Sequence, residues 1–253
     1  MVRMSSRGTT NDLLLGLPVQ DVLRMWPLLR RERLAARQYL ERSGHRPSVV
    51  YFIEAGVVSS LETGDLRDPI EVGVIGREGM VGLSTIANLV PQRDSFVQIE
   101  VQALVMNSVD FQSSLTASLS LRSLLFRYVQ AQLVQISLCA SAGVRATVQQ
   151  RLARKLLMFH DRVNTDDLPL THESMSLMLG VRRASVTQAI HELEGNGLIR
   201  SQRRLLTIRD REGLERQCGP FYGVAEARYA EIMGTFPEAS AIDPLGSCPP
   251  HGA

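Results

Sequence analysis

The sequence predicts an α+β protein: an N-terminal β jelly roll or barrel, a long helix and a C-terminal winged helix-turn-helix. Three observations predict it. Between residues 40 and 109, short apolar runs alternate with glycine-marked turns at close spacing, the pattern of an all-β barrel or jelly roll. Residues 113–142 contain no proline and repeat apolar side chains at helical spacing. From residue 168 to 208, two short helical patterns joined by a glycine precede two short strand patterns. A length of 253 residues accommodates two such domains.

Taken in order, residues 1–11 are polar and read as disordered. Residues 12–23 and 25–32 read as short helices, with Pro18 and Pro27 as breakers. Val49 to Ile53 reads as a strand, Glu54-Ala55-Gly56 as a turn, and Val57 to Leu61 as a second strand. Thr63-Gly64-Asp65 is a hairpin signal, and Ile70 to Ile75 a third strand before Gly76, Gly79 and Gly82. Residues 96–100 alternate apolar and polar, and 103–106 continue beyond them. Residues 12–112 thus form one β-rich domain.

The long helix, residues 113–143, carries two apolar stripes. Leu119, Phe126, Val129, Leu133, Ile136 and Ala140 recur at spacings of three, four and seven. Leu121, Leu125 and Tyr128 make a second stripe beside the first. Two stripes call for two partners. One is the β domain of the same chain. The other is the same helix of a second chain, packed as a coiled coil, with Gln132 and Gln135 as polar positions that help fix register. A helix buried within a monomer is the alternative.

Residues 144–216 form the third unit. Residues 146–163 read as a helix with Val148, Leu152, Leu156, Leu157 and Phe159 as its packing face. Thr171 can cap the next helix by accepting a bond from a first-turn N–H. Met175, Met178 and Leu179 share one face of it, and Gly180 ends it where a left-handed backbone is needed. A second helix begins near Arg182, buries Val186, Ala189, Ile190 and Leu193, and stops at Asn196-Gly197. Leu198-Ile199-Arg200 and Leu205-Leu206-Thr207-Ile208 read as a hairpin around Ser201-Gln202-Arg203-Arg204. Residues 217–236 hold one more helix, and 237–253, rich in Pro, Gly, Ser and Ala, read as a disordered tail.

The outward side chains of the second helix are Arg182, Arg183, Ser185, Thr187, Gln188 and His191. This set suits double-stranded DNA. An arginine fork matches the two acceptors of guanine, and a glutamine amide matches the donor and acceptor of adenine. Hydroxyl residues near a helix start can bond phosphates. Arg203 and Arg204 at the hairpin tip could reach phosphate, each adding to the salt dependence of binding. Arg151, Arg154 and Lys155 either touch phosphate or only solubilise their helix. A plain helical hairpin with a solvated basic face is the alternative.

These pieces resemble a known family. Leu170-Thr171-His172-Glu173, then Leu179-Gly180-Val181-Arg182-Arg183-Ala184-Ser185-Val186-Thr187, then Leu193-Glu194-Gly195-Asn196-Gly197-Leu198-Ile199, ending Ile208-Arg209-Asp210-Arg211, resemble the C-terminal DNA-binding domain of the Crp/Fnr family of bacterial transcription regulators. The resemblance extends from about Val19 to Leu214 and is strong only at its C-terminal end. It implies a cytoplasmic homodimer, residues 113–143 as the dimerisation helix, and RNA polymerase as a further partner. Arg183 is then the leading base reader, Gln188 the second, and Ala184 stands where many relatives carry an acidic base-contacting residue. Thr171, His172, Arg182, Ser185, Arg203 and Arg204 are the phosphate candidates.

The resemblance also implies that the β domain is a cyclic-nucleotide-binding-like sensory domain. The family's phosphate cassette has a Gly-Glu pair and, about ten residues later, Arg followed by Ser or Thr. Here Gly82 stands at the glycine, but Leu83 replaces the glutamate. Arg93 stands at the right distance, but Asp94 replaces the Ser or Thr. Leucine offers no acceptor for a ribose hydroxyl. Asp94 puts a negative charge beside a phosphate, and could pair with Arg93 instead. Gly82, Leu83, Arg93 and Asp94 therefore mark a candidate effector pocket that disfavours a classical cyclic nucleotide.

Composition bounds the rest. Net charge is only +2, but residues 145–216 hold 13 Arg/Lys against 9 Asp/Glu while residues 1–112 hold 12 against 13. The excess sits in the DNA-binding domain, where a dimer doubles it. No stretch is long and apolar enough to span a membrane, and Arg3 and Arg7 precede no signal-peptide core. No cofactor is assigned. No cysteine precedes Cys139, which excludes an Fe–S cluster in the β domain, and Cys139, Cys218 and Cys248 have no metal or redox spacing. Only His45 stands in the β domain as a metal or haem candidate. No nucleophile–base pair, P-loop or HExxH motif points to an enzyme. The remaining rival is a small-ligand sensor with a degenerate DNA-binding domain.

Overall fold

The computed structural model describes residues 8–63, 69–163 and 165–234. The hairpin signal at Gly64-Asp65, the first seven residues and the tail 237–253 lie outside the described residues. The chain packs earlier than composition suggests. Thr9 and Asn11, expected to be disordered, are buried. Asn11 Nδ2 donates to the carbonyls of Ile53 at 2.7 Å and Gly79 at 2.8 Å, and its Oδ1 caps α1 (Asp12–Leu15). Pro18 divides the first helical pattern, so α2 is Val19–Met25.

The second helical pattern fails after a 3₁₀ turn at Trp26–Leu28. Arg30–Leu34 is strand β1 instead. It lies at the edge of its sheet, where only Leu34 need be buried, so its charged sequence hides it. Strands β2 (Tyr39–Glu41), β3 (Val49–Glu62), β4 (Ile70–Ile75), β5 (Met80–Val81) and β6 (Asp94–Asn107) complete an antiparallel sheet. Its order is β1-β6-β3-β4, with β2 also on β6 and β5 on β3.

β3 and β6 each run unbroken through segments that read as two strands. Glu54-Ala55-Gly56 is a bulge rather than a turn, with register shifts from Ile53 to Val58. Gly56 has φ +89°, and a Cβ there would lie 2.0 Å from the Glu100 carbonyl oxygen. The glycine serves close approach of two strands, not chain reversal.

The long helical region is also divided. α3 is Ser108–Ala117 and α4 is Leu119–Arg145. Ser118 between them is extended, and its hydroxyl accepts from Leu121 N at 3.0 Å as the cap of α4. Leu121, Leu125 and Tyr128 are buried with Phe52, Met80 and Phe111, so the second stripe faces the sheet as expected. Tyr128 Oη accepts from Met80 N at 3.2 Å and from Gln132 Nε2 at 2.9 Å, pinning α4 to β5. Leu119, Phe126 and Leu133 of the first stripe are exposed.

The third unit comprises α5 (Val148–His160), β7 (Asp167–Leu168), α6 (His172–Leu179), α7 (Arg183–Gly195), β8 (Ile199–Gln202), β9 (Leu205–Ile208) and α8 (Arg211–Cys218). Leu152, Leu156, Phe159, Met175, Val186 and Leu193 share its core with Val57 and Val74 of the sheet, so the two domains meet through apolar contact. Then α9 (Val224–Met233) returns to α4, where Tyr229 Oη donates to the Glu78 carbonyl at 2.5 Å. Cys139 and Cys218 are free thiols, and burial raises the Cys218 pKa to about 11.

Candidate nucleic-acid interface

The recognition unit is set by local chemistry. Thr171 Oγ1 accepts from Ser174 N at 3.0 Å and caps α6. Gly180 ends α6 at φ +59°, in the left-handed region that a Cβ disfavours. The chain re-enters helix at Arg183, with Arg182 as an N-cap that makes no side-chain capping bond. Val186, Ala189, Ile190 and Leu193 are buried, which fixes the opposite face outward.

That outward face holds Arg183, Ala184, Thr187, Gln188, His191 and Glu192 on one open surface. Arg182, Arg183 and Ala184 are exposed and Ser185 is half-buried. Gln188 is not free: its Nε2 donates to Glu192 Oε1 at 3.0 Å. Glu192 was absent from the sequence-based set, although the i, i+4 spacing from Gln188 signals it. His172 Nδ1 lies 3.1 Å from Thr187 Oγ1, and Thr187 Oγ1 donates to the Arg183 carbonyl at 3.0 Å. Burial, then the neighbouring Arg183 and His191, lower the His172 pKa from its ordinary value. Its neutral form therefore dominates near pH 7, and it is not a ready cation for phosphate.

The wing is a two-residue loop. Gln202 pairs with Leu205 across β8 and β9, leaving Arg203 and Arg204 at the tip. Arg204 has φ +62°, a left-handed residue that is not glycine. Both arginines are exposed.

The basic residues of α5 differ from those of α7 and the wing. Arg151, Arg154 and Lys155 neither point to phosphate nor merely solubilise α5. Arg151 donates to the Leu179 carbonyl, Arg154 Nε donates to the Phe221 carbonyl at 2.9 Å, and Lys155 Nζ donates to Glu71 of β4. Arg162 pairs with Glu78 at 2.7 Å. Among the described residues, the side chains of Arg182, Arg183, Arg203 and Arg204 have no such partner. Charge on α5 is thus satisfied inside the fold, whereas the start of α7 and the wing tip carry exposed charge, as do Arg200 and Arg209 beside the wing.

In the β domain, Gly82 (φ +112°), Leu83 and Arg93 come together around a cavity of ≈ 420 Å³. Asp94 does not pair with Arg93. It is buried, accepting from Arg42 Nη1 at 3.1 Å and Ser43 N at 2.7 Å. Sequence reading missed Glu41, which lines the cavity; its partner Ser95 is 54 residues away.

Residues 150–217 match the family model of the Crp-like helix-turn-helix domain. No curated protein matches the chain by sequence. Solved structures with a similar fold include the CRP-family transcriptional regulator of Thermus thermophilus, 18% identical with TM-score 0.64, over 74% of this chain and 96% of that one. FixK2 of Bradyrhizobium japonicum is 15% identical with TM-score 0.62, over 76% and 98%. The c-di-GMP-responsive global regulator CLP of Xanthomonas campestris is 16% identical with TM-score 0.60, over 76% and 99%. The chain therefore has the fold of the Crp/Fnr family of transcription regulators, and residues 150–217 are its Crp-like helix-turn-helix DNA-binding domain.

Proposed function

We propose that this protein is a sequence-specific transcription regulator, not an enzyme, and binds an inverted-repeat site as a homodimer. The observation that carries this is the set of exposed arginines without side-chain partners at the start of α7 and at the wing tip, beside an α5 whose cations are committed within the fold. Phosphate binding needs cations that are not already paired. Arg183 reads a base, with Gln188 and Ala184 along the same helix face. Arg182, Ser185, Arg203 and Arg204 meet the backbone, with Thr171 and His172 at the entry of α6.

The exposed α4 stripe supports dimerisation. Leu119 is 77% exposed, Phe126 60% and Leu133 53%, an apolar row that water disfavours and a second copy would cover. Val129 and Ile136 continue it. Two recognition helices related by a two-fold axis then enter successive major grooves, about 34 Å apart. No described helix is long and apolar enough to cross a membrane, which agrees with a regulator working in the cytoplasm, with RNA polymerase as its further partner. The cavity holding Gly82, Leu83 and Arg93 is the effector pocket, with Asp94 behind its wall.

The test is selection of bound duplexes from random DNA with full-length protein, first without ligand. A two-fold symmetric site is the expected product. Enrichment of no sequence, with or without cyclic AMP or cyclic GMP, overturns sequence-specific binding. It would favour the sensor with a degenerate DNA-binding domain.

A further inference from the structure

Gln188 and Glu192 stand one turn apart on the outward face of α7, and both are exposed. Gln188 Nε2 donates to Glu192 Oε1 at 3.0 Å. An ionised carboxylate accepts and does not donate. It therefore holds the amide nitrogen of Gln188 toward itself and repels the amide oxygen. Among the residues of this open surface, Glu192 is the acid beside Arg183, Ala184, Thr187, Gln188 and His191. Among the described residues it has no cationic partner. A carboxylate left unneutralised on a surface that meets phosphate opposes the binding of every duplex. Its hydrogen bond goes to a side chain assigned to a base.

That bond sets what the amide can offer. A glutamine amide has two N–H hydrogens and one oxygen. Free in solvent it turns over, so that nitrogen and oxygen exchange places. Its two hydrogens can then serve the two acceptors of guanine, or one hydrogen and the oxygen can serve the acceptor and donor of adenine. With one hydrogen held by Glu192, one hydrogen and the oxygen remain. This remainder matches N7 and the N6 amino group of adenine. Against guanine it sets the amide oxygen toward O6, two acceptors face to face.

We propose that Glu192 is a positioning residue for base recognition: by holding one N–H of Gln188, it makes Gln188 select adenine over guanine at one position of each half-site. Glu192 itself touches no base. Its charge lowers affinity for all DNA, and what it contributes is discrimination. This rests on the reading of α7 as the recognition helix and deepens it.

The test is selection of bound duplexes from random DNA with the full-length protein, wild type and Gln188→Ala, Glu192→Asp, Glu192→Gln and Glu192→Ala. Titration of the selected duplex and its adenine-to-guanine variants then follows. Gln188→Ala identifies the position, which is where preference is lost. Aspartate four residues after glutamine still accepts its N–H, so Glu192→Asp should keep the preference for adenine. Glutamine at 192 both donates and accepts, so it satisfies either orientation of the Gln188 amide. In Glu192→Gln and Glu192→Ala the preference for adenine over guanine should fall about fivefold or more, at that position alone. Both should bind all duplexes more tightly, because a negative charge is gone. In the Gln188→Ala background, Glu192→Gln should raise affinity without changing preference at any position. A pair that only supports the helix surface would move the urea midpoint and leave base preference untouched. Wild-type preference in Glu192→Gln, a base other than adenine at the Gln188 position, or no position altered by Gln188→Ala overturns the inference. Any of these alongside a symmetric wild-type site leaves the regulator standing. Enrichment of no sequence by the wild type sinks the regulator, and this inference with it.

Discussion

Arg183 and His172 show how much one side chain can decide. Arg183 is exposed at the first turn of α7 and its guanidinium is uncommitted. Arg183→Ala should cost about 1–3 kcal/mol on the selected site, roughly 5- to 150-fold in affinity, with random DNA nearly unaffected. Competition titrations of specific against random duplex measure this. Equal losses on both would demote Arg183 to a phosphate contact. His172 predicts a pH dependence with two signs. Its pKa is lowered in the folded protein, whereas the unfolded chain titrates near about 6.5. The unfolded state binds more protons below that pH, so the stabilising contribution present at pH 7 falls as pH drops through 6.5 toward the folded value. DNA acts the other way, because phosphate favours the imidazolium. Affinity should rise between about pH 7 and 5.5, and rise less in His172→Gln. Identical pH profiles for the two proteins would remove His172 from the phosphate contacts.

At the scale of elements, the wing allows charge to be separated from stability. Arg204 sits at φ +62°, where a residue with a Cβ pays about 1 kcal/mol. Arg204→Gly relieves that cost but adds unfolded-state freedom of about the same size. Stability should stay within about 0.5 kcal/mol, while the slope of log affinity against log salt should lose about 0.9 per site. An unchanged slope would mean that the wing tip stays off the phosphates. The helix-turn-helix was legible because its signals are local: a threonine cap, a glycine at a left-handed position and an apolar period within thirty residues. The β domain was less legible because its signals are not. β1 is charged and hides at a sheet edge, and Gly56 marks a bulge that looks like a turn. Ser118 breaks the long helix by capping, with no proline or glycine to announce it. Glu41 gains its role only through pairing of β2 with β6, and Lys155 meets Glu71 across 84 residues.

The proposed dimer sets two problems for the whole molecule: where two copies meet, and how each copy holds its own domains. The first predicts that Phe126→Asp yields a monomer by sedimentation, because a charge replaces an apolar side chain at the centre of the exposed α4 stripe. Binding to the symmetric site should fall with it, whereas a Phe126→Asp dimer of wild-type affinity would place the seam elsewhere. The second problem is met in part by a buried ion pair. Lys155 and Glu71 side chains are 4% and 0% exposed, and Ser59 Oγ donates to the second Glu71 oxygen. Removing one partner leaves a buried charge uncompensated, at a cost of about 3–5 kcal/mol, whereas replacing both by apolar groups can be nearly neutral. Lys155→Met should therefore lower the urea midpoint of the full-length chain sharply, and adding Glu71→Leu should restore much of it. A Lys155→Met protein as stable as wild type would mean that water reaches Glu71 and that the junction opens readily. The double variant then asks what the pair is for. If it fixes the angle between domains, the restored protein binds the inverted repeat about tenfold or more weakly, with random DNA unaffected, because each helix still fits a groove but the two no longer fit together. If affinity for the repeat is unchanged, the apolar contact of Val57 and Val74 with the helix-turn-helix core and the Arg162–Glu78 pair set the orientation without it.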